Sequence, residues 1–474
     1  MLFNSFEFLL FFPIITVLYF LLPYKFRWVL LLAASCFFYM FFIPKYILIL
    51  FFTIIIDYYA GIQLEKIGDK KKRKWFLIAS LIANIGILVI FKYYNFINGN
   101  ITAVLNAFHS ENPIPILNII LPIGLSFHTF QAMSYTIEVY RGNQKAEKHF
   151  GIYALYVMYY PQLVAGPIER PQNVLWQFKV DHKPDYERIR TGLMQILWGL
   201  FKKVVIADRL TLFVDAVYKD PTSYAGMPLI WSTIFFSFQI YCDFSGYSDM
   251  ALGASKVLGI DLMQNFRMPY LSKSIKSFWG RWHISLSTWF RDYLYIPLGG
   301  NRVSKTRWYF NLFFVFMVSG FWHGANWTFV VWGALHGIYL IFGILLEPVE
   351  KKYFNQNNII SNVLKRLFVF VLVAIAWVFF RANSISDALY IISHFHKIDT
   401  NYLFGVASAS TVNNMLSIAL IIALIISDYY FEWAEKHTKI LQNNYLRYAL
   451  AIILLVLIYT IGVFESASFI YFQF

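Results

Sequence analysis

The chain has 474 residues, of which 59% are hydrophobic, 20% are aromatic and only 14% are charged. Soluble domains carry roughly a quarter of charged residues, because a surface that faces water needs them. With 49 phenylalanines, a soluble fold of this length could not bury so much apolar surface, whereas lipid can cover it. The composition therefore excludes a soluble globular protein and predicts an integral membrane protein.

The formal net charge of +14 does not indicate a nucleic-acid partner. The basic residues cluster in short loops between apolar runs, where they orient transmembrane helices. Both cysteines, Cys36 and Cys242, lie in apolar stretches, so neither a disulfide framework nor a CxxC metal site is expected. No internal repeat stands out, which argues against an inverted-repeat transporter.

Runs of about 20 apolar residues, the length that crosses a bilayer as a helix, recur along the chain. The clearest are residues 6–22, 28–43, 46–64, 75–91, 364–380, 415–430 and 448–463. The first run has no basic flank before it and no small-residue cleavage site after it. We therefore expect a retained span and not a signal peptide.

The basic loops predict a topology for the first spans. Residues 70–74 (KKKRK) are the strongest cytoplasmic marker, and counting back through three spans places the N-terminus outside. Residues 97–117 contain no Lys or Arg and are predicted to be an external loop. The next span, near residues 118–139, returns to the basic residue Arg141 inside.

Two segments depart from simple spans. Residues 150–166 end in an interrupted stretch, YPQLVAGP at 160–167, whose prolines and glycine break a helix. If this segment crossed the membrane, the basic residues between 170 and 190 would lie outside, so we predict a re-entrant element that returns to the cytoplasmic side. Residues 277–301 are too charged for a plain span and too aromatic for a loop, and predict a headgroup-level or half-inserted helix. Residues 308–346 are then long enough for about two crossings.

His323 is the clearest polar residue at membrane depth, where an ionisable group costs about 2.5–3.5 kcal/mol and so indicates a role. Its imidazole could take a proton from a hydroxyl group. The flanking Gly320 and Gly324 permit close backbone approach, and Asn326 lies one helical turn on, where it could orient the ring. A packed histidine bonded to a neighbouring carbonyl is the alternative, and the spacing leaves both readings open.

Other histidines compete with His323. On a continuous helix His336 would lie about 220° around from His323, so the two would not share a site and a structural role is expected. His128 is a weaker candidate of the same kind. His283 lies near Arg281, Arg291 and Asp292, and the arginines could bind an anionic cofactor or, alternatively, lipid phosphates.

Asp243 and Asp249 are two carboxylates in an apolar region. Six residues apart, they lie about 240° from each other on a helix, so a shared carboxylate pair is not expected. Each is predicted to pair with an arginine or to cap an interrupted helix. The sequence contains no Gly-rich phosphate loop, no HExxH or CxxC zinc pattern and no GxSxG elbow.

Five strings occur in a fixed order: PQLVAGP at 161–167, YCDFSGYSD at 241–249, RWHISLS at 281–287, RDYLYIPLGGN at 291–301 and FWHGANW at 321–327. The chain closes with FIYFQF at 469–474. This ordered set resembles the membrane-bound O-acyltransferase (MBOAT) family, in particular its bacterial members of alginate and peptidoglycan O-acetylation, the AlgI/PatA type. The similarity is densest from 121 to 340, whereas residues 97–117 and 383–413 match nothing recognisable in it.

The resemblance implies an all-α polytopic membrane protein with the MBOAT fold, roughly 11 transmembrane helices and additional re-entrant or interfacial helices. It implies one domain, residues 1–474, with its core motifs in 121–340. His323 is then the family's histidine and His283 its second histidine, on the re-entrant element. The side chains expected to support the site or its acyl-donor side are Arg281, Arg291, Asp292, Asn326, Asp243 and Trp322.

The reaction implied is transfer of acetyl groups from cytoplasmic acetyl-CoA across the membrane, for O-acetylation of an extracytoplasmic polysaccharide such as peptidoglycan or alginate. We expect no metal and no permanently bound cofactor, a place in the bacterial cytoplasmic (inner) membrane, and a separate extracytoplasmic SGNH-type O-acetyltransferase as partner. Open alternatives are a DltB-type exporter of D-alanyl groups for teichoic acid, a lipid-acylating member of the family and a polytopic transporter.

Overall fold

The computed structural model describes residues 1–164, 166–353, 358–397, 410–434, 444–464 and 469–470. Within these residues the chain is largely helical and contains no β-strand, which confirms the all-α class. The closing string at 469–474, the segment 383–413 and the string at 161–167 lie partly outside the described residues.

Twenty α-helices are described, and short turns connect several of them. In the first half they are α1 (Phe6–Leu21), α2 (Tyr24–Met40), α3 (Ile47–Lys66), α4 (Lys70–Leu88), α5 (Tyr94–Ala107), α6 (Leu125–Arg141), α7 (Phe150–Met158), α8 (Tyr160–Leu163), α9 (Pro171–Val174), α10 (Tyr186–Phe201) and α11 (Asp208–Lys219). In the second half they are α12 (Met227–Val257), α13 (Ile275–Trp279), α14 (Ile284–Phe290), α15 (Lys305–His323), α16 (Trp327–Tyr353), α17 (Ile359–Arg381), α18 (Ile385–Ser393), α19 (Thr411–Ala434) and α20 (Asn444–Ile461). Three π-helical turns are found at Val89–Tyr93, Lys202–Ala207 and Arg291–Tyr295.

Six helical stretches of the described chain are long and apolar enough to cross a membrane: Pro44–Lys66, Lys70–Ala107, Trp327–Val349, Ile359–Arg381, Thr411–Glu432 and Asn444–Ile461. Their outward-facing side chains are large and apolar; Ile82 is 65% exposed and Phe368 is 61% exposed. Such a surface is stable only where lipid replaces water. The count of about 11 spans stays a prediction.

The region predicted to be an external loop, residues 97–117, is partly helical. α4 runs through the π-helical turn at Val89–Tyr93 into α5, which ends only at Ala107. The loop prediction was wrong for residues 97–107, because a lack of Lys and Arg indicates the side of the membrane and not the backbone conformation. That the segment lies outside stays a prediction. The following helix begins at Leu125 and not near 118, since Gly124 takes a left-handed conformation (φ 76°) just before it.

The chain divides into two compact units, residues 1–196 with 248–263, and residues 197–247 with 264–474. In the first unit α3 packs against α4 and α6, and α2 packs against α7. In the second unit α15 packs against α16, and α16 packs against α17. The single domain expected from the resemblance stays a prediction.

The helix break predicted at the YPQLVAGP stretch is confirmed. α7 ends at Met158, Tyr159 leaves the helical region (φ −50°, ψ 112°), and α8 begins at Tyr160. The side-chain amides of Gln131 and Gln162 both donate hydrogen bonds to the carbonyl oxygen of Tyr156, close to the break. Side-chain amides thus supply the hydrogen bonds that this backbone carbonyl would have accepted within a continuous helix. That this element dips into the membrane stays a prediction.

In the second unit, α15 and α16 cross at Gly320 and Gly333. A Cβ atom on Gly333 would lie 2.3 Å from the carbonyl oxygen of Phe316, and one on Gly320 would lie 2.3 Å from that of Phe329. The two backbones can approach this closely only because neither glycine has a side chain. The crossing brings the end of α15, where His323 lies, against the first turns of α16.

Candidate active site

His323 is the last residue of α15. Gly324 follows in an extended conformation (φ −157°, ψ 149°) and ends the helix. Asn326 then caps α16, because its Oδ1 accepts a hydrogen bond from the backbone N–H of Thr328 at 3.1 Å and its Nδ2 donates to the carbonyl oxygen of Asn383 at 3.1 Å. The prediction that Asn326 orients the imidazole assumed a continuous helix. Both hydrogen bonds described for Asn326 instead go to backbone groups.

Aromatic rings surround the imidazole of His323, which is only 7% exposed. The Trp332 ring of α16 contacts it edge-on at a centroid distance of 5.1 Å, and the Phe380 ring of α17 lies at 5.6 Å. Trp322, which was expected to support the site, precedes His323 on α15 and is half-buried. His323 is thus packed against aromatic rings, where a proton transfer would be shielded from water.

His283 lies at a second interruption, between α13 and α14. Its backbone is left-handed (φ 43°, ψ 56°), a conformation that costs about 1–2 kcal/mol for a residue with a Cβ atom. Asn265 holds this turn, since its backbone carbonyl accepts from the N–H of Ile284 at 2.9 Å and its Oδ1 accepts from the Ser285 hydroxyl at 2.9 Å. Strain of this kind tends to accompany functional positions.

The single half-inserted helix predicted for residues 277–301 is therefore wrong in detail. α13 ends at Trp279, turns cover residues 280–283, and α14 continues into the π-helical turn at Arg291–Tyr295. Two of the aromatic residues that suggested one amphipathic helix are instead buried: Trp282 is 2% exposed and Trp289 is 8% exposed. They serve as packing residues of the second unit.

The imidazole of His283 is 2% exposed and packs on aromatic side chains. The Phe244 ring of α12 lies 4.6 Å away, and the Phe266 ring lies 6.4 Å away in a stacked arrangement. Burial lowers the pKa of His283 well below its usual range, and electrostatic repulsion from His323 lowers this pKa further. The two candidate histidines of the second unit therefore lie within electrostatic reach of each other.

Asp243 is part of a buried ion cluster. Lys203 Nζ lies 2.6 Å from Asp243 Oδ1 and 2.8 Å from Asp208 Oδ1, and all three side chains are at most 4% exposed. The other carboxylate oxygen of Asp243 accepts from the backbone N–H of Ile470 at 2.7 Å. The predicted arginine partner is thus a lysine, and Asp243 does not cap a helix.

The same cluster connects the end of the chain to the site. Phe469, next to the bonded Ile470, packs on Tyr247 at 4.4 Å and on Phe244 at 5.8 Å, and Phe244 in turn contacts His283. Asp243 therefore supports the site indirectly. The charged residues of FKKVVIAD at 201–208, inside an apolar stretch, were the sequence signal that could have identified Lys203 and Asp208 as its partners.

Asp249 belongs to the first unit, where the side-chain amide of Gln195 donates to its Oδ1 at 3.2 Å. That Asp249 and Asp243 form no shared carboxylate pair stays a prediction. His128, also in the first unit, forms a hydrogen bond through Nε2 with the Thr53 hydroxyl at 2.6 Å. Both residues are in the first unit, whereas His323 is in the second.

The arginines expected on the acyl-donor side are paired with carboxylates. Arg281 donates to Glu432 Oε1 at 2.8 Å, and Arg366 lies 3.8 Å from the other oxygen of Glu432. Arg291 is 2.8 Å from Asp292 Oδ1, and its side chain is 59% exposed. Of the two predicted arginines, Arg291 is therefore the more accessible to an anionic ligand.

The expectation that His336 lies apart from His323 was wrong. The angle of 220° assumed a continuous helix, whereas the chain is broken between His323 and Trp327. Both histidines contact the ring of Trp332, at centroid distances of 5.1 Å and 5.0 Å. His336 also accepts a hydrogen bond at Nδ1 from the indole N–H of Trp279, at 3.3 Å. His336 and these tryptophans are thus members of the His323 cluster that sequence reasoning missed.

The arrangement supports acid–base chemistry. In the described part of the chain, no three His, Cys, Asp or Glu side chains are grouped so that they could hold a metal ion. An imidazole in a water-poor aromatic pocket can accept a proton from a hydroxyl group and return it to a leaving group. A second buried imidazole and backbone strain lie in the same unit.

Comparison with known proteins places the sequence in one family. The model of the membrane-bound O-acyltransferase family covers residues 18–382. The probable alginate O-acetylase AlgI of Pseudomonas aeruginosa is 37% identical over 417 residues, which are 87% of this chain and 77% of that protein. The peptidoglycan O-acetyltransferase of Helicobacter pylori is 38% identical over 385 residues, 76% of this chain and 72% of that protein. The teichoic acid D-alanyltransferase of Bacillus subtilis is 29% identical over 255 residues, 52% of this chain and 64% of that protein.

Proposed function

The chain belongs to the membrane-bound O-acyltransferase family, and we propose that it transfers acetyl groups from cytoplasmic acetyl-CoA for the O-acetylation of an extracytoplasmic polysaccharide. Its apolar helices and its family make it a multi-pass membrane protein and an O-acyltransferase. The observation that carries the proposal is the buried His323 pocket within a chain that is similar, over most of its length, to alginate and peptidoglycan O-acetyltransferases.

In this proposal His323 is the general base. It takes the proton of an acceptor hydroxyl while the hydroxyl oxygen forms a bond with the thioester carbonyl carbon. The carbon–sulfur bond then breaks, and the proton passes from His323 to the departing CoA sulfur. The reaction consumes no net proton and needs no oxidant or metal. The aromatic rings around His323 exclude water, which would otherwise hydrolyse the thioester.

The acyl donor reaches this site from the cytoplasmic side, where its phosphates need cationic partners. Arg291 suits this role, because its exposed pair with the adjacent Asp292 contributes little stability and can be given up for a phosphate. Arg281 suits it less, since it is already bonded to Glu432. We expect Arg291→Ala to raise the KM for acetyl-CoA several-fold with little effect on kcat, and Arg281→Ala to affect stability more than KM.

The proposed location is the bacterial cytoplasmic membrane, with the basic 70–74 stretch on the cytoplasmic side. The acyl group alone crosses the protein, so the multiply charged CoA never enters hydrocarbon, where charges are costly. A separate extracytoplasmic SGNH-type O-acetyltransferase is the proposed partner, which would pass the acetyl group on to peptidoglycan, alginate or a similar polysaccharide.

The test uses inverted membrane vesicles that contain the full-length chain together with its SGNH-type partner and labelled acetyl-CoA. His323→Ala should lower transfer of label to polysaccharide by about 10²–10⁴-fold, the usual contribution of a general base. The matched control is His396→Ala, because His396 is an exposed histidine of the same unit. Equal transfer by His323→Ala and wild-type protein, at equal membrane levels, would refute the assignment of His323.

A D-alanyl exporter is the second candidate, favoured by the 29% identity to a teichoic acid D-alanyltransferase. Such a protein should take its acyl group from a carrier-protein thioester. Vesicles given each donor in turn separate the two readings, since D-alanyl transfer without acetyl transfer would overturn the proposed donor. Label recovered in lipid would instead indicate a lipid-acylating member. Membership of an acyltransferase family argues against a transporter.

A further inference from the structure

Trp332 carries a buried hydrogen-bond donor beside His323. Its side chain is 1% exposed, and its indole N–H has no acceptor among the described residues. An indole nitrogen can only donate, and a buried donor without an acceptor costs about 1–3 kcal/mol. Folded proteins rarely tolerate this cost unless a ligand or solvent takes up the bond.

His336 carries a second donor of the same kind. The indole N–H of Trp279 donates to its Nδ1 at 3.3 Å, so Nδ1 must hold a lone pair and the proton of the neutral ring is on Nε2. Nε2 also has no hydrogen-bond partner within the part of the chain that the structure describes, and the side chain is fully buried. Stacking on Phe278 (interplanar angle 3°) holds the ring in this orientation.

The indole N–H groups of the neighbouring tryptophans do have hydrogen-bond acceptors. The N–H of Trp377, which is stacked on Trp332 at 5.8 Å, donates to the hydroxyl of Tyr270 at 3.2 Å. The N–H of Trp279 is bonded to His336, as described above. The indoles of Trp279 and Trp377 therefore find acceptors in the protein, whereas the indole of Trp332, which contacts His323, does not find one among the described residues.

We propose that the indole N–H of Trp332 and the Nε2–H of His336 bind the carbonyl oxygen of the acyl group beside His323. This inference rests on the proposed acyl transfer. When the acceptor oxygen bonds to the thioester carbon, the electron pair of the carbonyl double bond moves onto that carbonyl oxygen. The charge returns when the carbon–sulfur bond breaks and the thiolate takes the proton. Donors fixed in an apolar pocket stabilise this oxyanion without reorganisation.

The first test is Trp332→Phe, which keeps an apolar ring and removes the N–H. Loss of one oxyanion donor typically lowers kcat about 10²–10³-fold, and we expect a fall of this order with little change in KM for acetyl-CoA. The matched control is Trp377→Phe, which removes a donor bonded to Tyr270 from the neighbouring ring. It should change kcat by no more than a few-fold.

The second test separates the two nitrogens of His336. In His336→Asn the side-chain oxygen takes the place of Nδ1 and keeps the bond from Trp279, but the Nε2 donor is lost. In His336→Gln the longer amide restores a donor near the Nε2 position and loses the acceptor. The proposal requires the Gln variant to retain more activity than the Asn variant. A purely structural His336 requires the opposite order, or none.

The outcomes distinguish this inference from the function on which it rests. If the wild-type chain transfers no label from acetyl-CoA, the proposed function fails. If the wild-type chain transfers label and Trp332→Phe has the same kcat, the donor pair is refuted while the function stands. Should Trp332→Phe fail to accumulate in membranes, the order of the two His336 variants decides the question alone.

Discussion

The buried cluster of Lys203, Asp208 and Asp243 provides a quantitative test of how the second unit is stabilised. Asp243→Ala would remove one of the two carboxylates that contact Lys203 in the described part of the chain, and would leave the N–H of Ile470 without its acceptor. Lys203 keeps Asp208 as its counter-ion, so the expected loss is that of a hydrogen bond to a charged group and of one buried acceptor, about 1.5–3 kcal/mol. This loss is a substantial part of the free energy of unfolding of a typical protein, which is only about 5–15 kcal/mol.

The measurement is unfolding of the full-length protein in a denaturing-detergent titration, followed by tryptophan fluorescence. Asp215→Ala is the matched control, because Asp215 pairs with Arg381 at 2.7 Å but is 49% exposed, and exposed pairs contribute about 0–1 kcal/mol. Asp243→Asn should fall between the two, since its amide oxygen still accepts from Ile470. Equal midpoints for Asp243→Ala and Asp215→Ala would refute the reasoning.

A variant with three substitutions tests whether the charges of the cluster or its packing determine the stability. Lys203→Met, Asp208→Asn and Asp243→Asn together remove every charge of the cluster. Replacing a whole buried ion cluster by neutral groups is often neutral or stabilising, because no uncompensated charge remains. The triple variant also keeps an amide oxygen for the N–H of Ile470, so it should be more stable than Asp243→Ala alone. If it is less stable, packing and not charge compensation accounts for the loss.

Two further predictions concern the packing of each unit. Gly333→Ala should force α15 and α16 apart and lower both acyl transfer and the unfolding midpoint, because the added Cβ would lie 2.3 Å from a carbonyl oxygen. Gly343→Ala is the control. No atom lies within 4 Å of its added Cβ, so both quantities should stay unchanged. Asn84→Ala should lower the free energy of unfolding by about 1–3 kcal/mol, since Asn84 donates to the buried carboxylate of Asp57 at 2.9 Å. Adding Asp57→Asn should restore part of this loss, and no recovery would contradict the account.

The lengths of the apolar runs predicted much of the helical architecture. The run at 6–22 corresponds to Phe6–Leu21, and the run at 46–64 corresponds to Ile47–Lys66. These predictions succeed because the apolar length needed to cross a bilayer is a local property of the sequence. Proline and glycine located the break near Tyr159 for the same reason. The loop expected from residue 97 failed, because its evidence was charge and not conformation.

The candidate site was less accessible to sequence reasoning. His323 and His283 could be named from their polarity and from the family strings, and so could Asp243. Their partners could not, because each depends on contacts between distant parts of the chain. Arg281 is bonded to a glutamate 151 residues later, and Asp243 to the backbone of Ile470, 227 residues later. Such pairs are set by how helices pack, which no local pattern records.

The helix breaks explain both the failure of the angular argument and the position of the site. A residue 13 positions from another has a fixed angle to it only while one helix joins them, and the chain between His323 and His336 is interrupted at Gly324. His283 likewise lies where α13 has ended and α14 has not begun. Helix ends leave backbone groups without intrahelical partners, which is costly where water is scarce. The fold therefore maintains the helix ends at His283 and His323 at a cost in free energy. In a membrane protein of this kind, interruptions of apolar helices are the first places where catalytic groups should be sought.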